Sequence, residues 1–257
     1  MNLLVFKLIV TPLLLLCATL AVRRRGEALG GFMVGLPLTS GPISAFLALE
    51  HGQDFARQAT TGSLTATVAQ AGFCLTYCKL ARRGCLPALG GACLAFTAIA
   101  LLLRASGVGQ TALFVMSAAA VSLALRFIPR QLAGIGGAAS PWWDLPARMV
   151  LIAGLVAGVT GLAPLLGPDF SGVLASFPFM AIILTVFAHR ASGHAAACAV
   201  MRGMAASLFG FACFFYVTCL TLGCLELPLV YGSATLCALC TQCLSLRRLS
   251  AVGTARA

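Results

Sequence analysis

Hydrophobic positions in this chain neither alternate with polar ones nor keep to one helical face; they run in blocks. Apolar stretches of about 20 residues, the length needed to cross a bilayer as a helix, occupy about 2–22, 28–49, 58–78, 85–103, 108–127, 146–165, 170–188, 195–221 and 225–245. Short polar or charged segments separate them. The longest runs from Arg130 to Asp144 and contains Gly134, Gly136, Gly137 and Pro141, a natural boundary between two halves. A membrane β-barrel would show strict polar–apolar alternation. The pattern therefore predicts an all-α polytopic membrane protein with about nine transmembrane helices.

Two of the blocks are interrupted in the middle. One reads Gly31-Phe-Met-Val-Gly-Leu-Pro37-Leu-Thr-Ser-Gly-Pro42, the other Gly172-Val-Leu-Ala-Ser-Phe-Pro178. Their spacing is constant: 172 − 31 = 141, and Pro37 and Pro178 lie the same distance apart. The same offset joins Gly26 to Gly167, Phe46 to Phe187, Gly52 to Gly193, Gly62 to Gly203, Phe73 to Phe214 and Cys78 to Cys219. Two copies of a four-helix unit are expected, residues 1–104 and 131–257, the second with a short cytoplasmic tail. Residues 105–130 supply one linking helix and the start of a cytoplasmic loop. An unpaired helix between the copies makes the second enter the membrane from the opposite side, so the repeats are expected to be inverted.

Composition narrows the class. With 60% hydrophobic and 9% charged residues, the chain lacks the polar surface of a water-soluble domain. The formal charge of +11 would suggest nucleic acid in a soluble protein, but the basic residues sit in short loops. Of the 17 Lys and Arg, only Arg57 and Arg104 fall in the alternate loops, and Lys7 and Arg202 lie inside spans. The rest flank the odd-numbered loops or the tail, including Arg23, Arg24, Arg25, Lys79, Arg82, Arg83, Arg247 and Arg248. By the positive-inside bias the N-terminus is expected in the periplasm and the C-terminus in the cytoplasm of a bacterial inner membrane. Residues 2–22 lack a basic start and precede the Arg23–Arg25 cluster, which reads as an anchor rather than a cleaved leader.

Most of the 12 cysteines lie in apolar blocks, where they act as small hydrophobes, so reduced, buried thiols are expected. Cys237, Cys240 and Cys243 have no neighbouring His or second CxxC in sequence, and no metal or other cofactor is expected. The six carboxylates sit near loops without a paired acid and base, and no nucleophile elbow, zinc-protease or phosphate-loop motif occurs. An enzyme is not expected.

The words Gly31-x4-Leu36-Pro37-Leu-Thr-Ser40 followed by Glu50-x-Gly52, and Ser171-Gly172 leading to Pro178 with Gly193 and Arg202-Gly203 beyond, carry a resemblance. The chain resembles a fused pair of the small GlpM-like bacterial inner-membrane proteins, four-helix chains of about half this length. The likeness covers roughly the first three spans of each half. It implies an envelope role, with no catalytic or binding residues to carry over.

The broken blocks are the candidate site. A proline inside a helix removes a hydrogen bond, and freed backbone groups at membrane depth need protein or a polar cavity around them. Pro37, Thr39, Ser40 and Gly41 from the first half, with Pro178 and the intramembrane Arg202 from the second, are the expected substrate-binding residues. Half-helix N-termini and Arg202 both favour negative charge, so an anionic or zwitterionic small molecule is expected. Ser176 and Thr185 are the only hydroxyls near the second break, which is expected to contribute mainly shape. The function expected is that of a small secondary transporter, with the lipid bilayer as surroundings and no nucleic-acid partner. The alternative is a non-transporting assembly component of an envelope polysaccharide or lipid system.

Overall fold

A computed structural model describes Pro37 and residues 40–129 and 144–254. The expected first span lies outside the described residues, as do Thr39 and the boundary loop up to Trp143. Seven α-helices make up almost all of what is described: α1 (Ser40–His51), α2 (Gln53–Leu80), α3 (Cys85–Ala105), α4 (Gln110–Phe127), α5 (Asp144–Ala175), α6 (Phe179–Thr221) and α7 (Leu227–Thr254). A single 3-10 turn, Ala81–Arg83, joins α2 to α3. The all-helical expectation holds throughout the described residues.

Among the described residues, four helices are long and apolar enough to cross a membrane: Cys85–Ala105, Gln110–Phe127, Ser192–Thr221 and Leu227–Ser245. Three of them are 22% buried over their most apolar stretch, whereas Ser192–Thr221 is 67% buried. That contrast puts the second part of α6 inside the bundle and α3, α4 and α7 at its rim. The rim helices turn Leu86, Leu94, Leu102, Val115, Leu123, Leu236 and Leu244 outwards. In water such an apolar surface would be unstable; hydrocarbon is its fitting solvent.

α2 is long enough to span, at 28 residues, but is less apolar than these four because of a polar stripe described below. It packs against α1, α3, α4, α5 and α6 and is the central post of the bundle. At 12 residues, or about 18 Å, α1 is only half the thickness of a bilayer core. The expected span at 28–49 is therefore in part a half-length helix.

The breaks follow the sequence offset. Gly52 separates α1 from α2 with φ 90° and ψ 166°; 141 residues on, Gly193 interrupts α6 with φ 81° and ψ −176°. Only glycine adopts such angles without strain. The stretch after Gly193 ends at Thr221 as α2 ends at Leu80, again at the common offset. A further such kink, Gly167 in α5 (φ 74°, ψ 169°), corresponds to Gly26, outside the described residues. Ser176, Phe177 and Pro178 then separate α5 from α6. The expected span at 170–188 is thus discontinuous, a short end of α5 followed by a half-length start of α6.

All 11 described cysteines are free thiols. Only Cys74, Cys198 and Cys219 are fully buried, and Cys224, Cys240 and Cys243 are exposed on the bundle surface. The expectation of general burial is corrected. An apolar block in a rim helix faces outwards on one side, so an apolar sequence position need not be an interior one.

Candidate functional site

Along α2, Thr60, Ser63, Thr67, Gln70, Cys74 and Tyr77 recur at alternating spacings of three and four residues, which puts them on one face. Each is at most 3% exposed. The face looks onto the end of α5 and onto α6, and its polar atoms are spent unevenly. Thr60 Oγ1 donates to Arg57 O, and Thr67 Oγ1 to Ser63 O at 2.9 Å. Ser63 Oγ reaches across to Gly172 O at 3.4 Å. Gln70 Nε2 donates to Ser176 O. Cys74 Sγ lies 3.7 Å from Met204 Sδ. At the far end Tyr77 Oη is 2.8 Å from His189 Nδ1 and 3.7 Å from Cys85 Sγ.

Two glycines fix the register of this seam against α5. A Cβ on Gly62 would collide with the carbonyl oxygen of Asp169, and one on Gly172 with that of Ala59. The two backbones touch at this crossing, which a side chain on either helix would prevent. One turn further along α5 the helix ends. Ser176 N–H is shared between Gly172 O (3.1 Å) and Val173 O (3.2 Å), and Phe177 N–H goes to Leu174 O (3.1 Å). Pro178 has no N–H, and Phe179 N–H turns back onto Phe177 O at 2.8 Å. Neither therefore serves Ala175 O in the helical way. The break is roofed by rings: Phe177 stands edge-on to Phe96 of α3 (centroids 5.0 Å apart) and beside Phe179 (4.5 Å).

Within this buried frame several polar atoms have no hydrogen-bond partner in the protein. Gln70 Oε1 and Ser176 Oγ are two of them, on residues joined by the bond from the Gln70 amide to the Ser176 carbonyl. Thr185 Oγ1, on a residue 1% exposed, is a third. Natural interiors leave few such atoms, and each calls for an explanation.

The expected site residues are only partly assembled here. Pro178 is buried and caps the start of α6. Pro37 precedes α1, and its carbonyl accepts from Gly41 N–H at 2.8 Å. Ser40, 2% exposed, opens α1. Gly41 lies under Phe214, whose Cζ would be 3.2 Å from an added Cβ. The helix that follows Pro37 packs through Ile43, Phe46 and Leu47 onto Ala175, with Leu174 and Ile183 alongside. It thus lies against both helices that flank Pro178. Thr39 is outside the described residues.

Arg202 is engaged elsewhere. Its guanidinium donates to Leu125 O at 2.7 Å and to Ile128 O, the carbonyls that end α4. Beside it Cys198 and Cys78 meet, with Cys198 Sγ 4.0 Å from Cys78 O. At the opposite end of α4, Gln110 Nε2 donates to Thr61 Oγ1 (2.9 Å) and Arg57 O (3.4 Å), and Cys219 Sγ donates to Gln110 Oε1. Thr61 and Arg202, Arg57 and Cys198, and Cys78 and Cys219 are each 141 positions apart. Each of the three positions that gather at one end of α4 is thus one sequence offset away from a position at the other.

The sequence reading missed the α2 seam, and Gln70 above all. It treated the second break as shape, whereas Gln70 reaches that break from the first half. The signal was present as a three–four spacing of small polar residues within an apolar block. No family model matches the chain, and no curated protein or solved structure matches it.

Proposed function

We propose that the chain is a small secondary transporter-like protein of the bacterial inner membrane, built from two inverted four-helix repeats around α4, with its site at the Ser176–Pro178 break. The observation that carries the inverted pairing is the matched clasp of α4. Equivalent positions of the two halves grip opposite ends of one helix, which a two-fold axis through the middle of α4 in the membrane plane would produce. The close contacts between α2 and the second part of α6 run in opposite directions, Cys74 with Met204 and Cys78 with Cys198. That too is the relation expected of an inverted pair. The fused GlpM-like reading accords with this arrangement.

The nine-span topology would complete each copy with a first span and a broken second one. At the break, the end of α5 and the start of α6 present opposite partial charges to one place. A zwitterionic or anionic small molecule would set its negative end at the N-terminus of α6. The positive side of the argument no longer needs Arg202, whose hydrogen bonds go to α4. Orientation is tested by reporter fusions: those after Arg83 and Arg248 should read cytoplasmic, those after Arg57 and Arg104 periplasmic. Function is tested by uptake into proteoliposomes against a panel of small anions and zwitterions. Flux that is saturable and lost in Gln70→Leu supports the reading. No flux, together with stable co-purification of an envelope-assembly partner, would favour the assembly role instead.

A further inference from the structure

We infer that the break between α5 and α6 binds a monovalent metal cation of the sodium class, held by Gln70 and Ser176. The inference rests on the site reading above and adds a coupling ion to it. Gln70 is 97% buried and its Oε1, which can only accept, has no partner. Ser176, equally buried, has an unpartnered Oγ, and its carbonyl accepts from the Gln70 amide. Phe179 N–H, which would serve Ala175 O in a continuous helix, is turned onto Phe177 O, so a backbone carbonyl is left at the same turn.

These three oxygens are neutral; those of Ala175 and Ser176 belong to the C-terminal end of α5, where helix carbonyls carry partial negative charge, and Gln70 of α2 hydrogen-bonds to that end. Neutral oxygens without a carboxylate suit a singly charged hard cation, whereas calcium and magnesium sites are built with carboxylates. Unwound carbonyls and half-helix C-termini at membrane depth are a recurrent way of holding sodium. Thr185 Oγ1, on α6, is a further buried oxygen without a partner.

The test uses the full-length protein purified in detergent, with its unfolding temperature measured in sodium, potassium and choline chloride at equal ionic strength. Sodium should raise the midpoint over choline by about 5 °C at saturation. Gln70→Met and Ser176→Ala, two substitutions of different size, should each abolish that rise. Gln242→Met provides the control, since Gln242 Oε1 is likewise buried and unpartnered but lies beside Gly210 and Ser207, away from the break. It should keep the sodium shift.

Equal midpoints in all three salts would overturn the inference and point to a buried water. A shift that survives both Gln70→Met and Ser176→Ala, or that disappears in Gln242→Met, would also overturn it. The outcome separates from that of the transporter reading. Saturable flux without a sodium-specific shift sinks the ion site alone. A sodium shift abolished by both variants, without flux of any solute, keeps the ion site and sinks transport.

Discussion

In the proposed repeat the buried face of α2 corresponds to a buried face of α6, and the two are chemically opposite. Thr60, Ser63, Thr67, Gln70 and Cys74 in the first become Met201, Met204, Leu208, Phe211 and Phe215 in the second. Only the last pair, Tyr77 and Thr218, keeps a hydroxyl on both sides. All of these residues are buried. One backbone plan, with glycine breaks at the same positions, therefore supports a polar seam in one copy and a packed aromatic and thioether wall in the other. Burial of the wall is favourable wherever it faces protein, because its apolar atoms gain dispersion contacts and need no hydrogen-bond partners. Burial of the seam costs free energy at each atom left unpaired, of order 1–3 kcal/mol. In that reading, a costly feature present in one copy and absent from the other points to a role other than stability.

Substitutions that alter either face test this contrast. The largest effect is expected at the crossing that sets seam against break. Gly62→Leu or Gly172→Leu would drive a side chain into a neighbouring carbonyl and should cost about 4 kcal/mol or more, leaving little monodisperse protein in size-exclusion chromatography. Next comes Phe211→Gln, which copies the polar face onto the wall. It removes a buried ring and adds an unpaired amide, for an expected loss of about 3–5 kcal/mol read by thermal unfolding. The reverse exchange, Gln70→Phe, should destabilise less, by about 1–3 kcal/mol, from overpacking and the orphaned Ser176 carbonyl, yet abolish flux. If Gln70→Phe keeps full flux, the two faces differ for packing reasons only.

Much of this was legible in the sequence, and the reasons for the rest are physical. A constant offset between glycines survives because positive-φ backbone at Gly52 and Gly193 tolerates nothing else. That made the repeat readable. An intramembrane charge such as Arg202 reads as a ligand site in sequence, and its bonds to the carbonyls of a neighbouring helix are a long-range contact that no local pattern encodes. The seam escaped notice because no single member is charged, and hydroxyls in apolar helices usually bond their own preceding turn, as Thr67 does. Gln70 is the exception whose partner lies 106 positions away, a contact that no local pattern encodes.

Two smaller effects sharpen the comparison at its ends. Arg202→Leu leaves the α4 carbonyls unserved and should cost about 1.5–3 kcal/mol, whereas Thr61→Val, at the equivalent position, should cost about 1 kcal/mol by the same unfolding assay. Equal losses would argue against a specific role for the guanidinium. The smallest concerns His189, just past the end of its span. Burial first, and then the nearby charge of His194, holds its imidazole below the ordinary value. A histidine with a lowered folded-state pKa resists protonation, so its contribution is complete above the unfolded value of about 6.5 and is lost as pH falls through the folded one. The midpoint should therefore drop slightly between about pH 7 and pH 5, and His189→Gln should flatten that part of the curve.

The clasp of α4 has a consequence for how a duplicated chain can evolve. In the proposed repeat everything occurs twice except the helix in the middle, and a helix has a direction. Thr61 and Arg202, equivalent in that reading, therefore sit against opposite poles of a single macrodipole, the first near the amino end and the second at the carboxyl end. A cation is stabilising at the second place and repelled at the first. The same residue cannot be best at both, so equivalent positions in such a pair call for different residues whatever the function. Asymmetry between the halves begins at the axis itself.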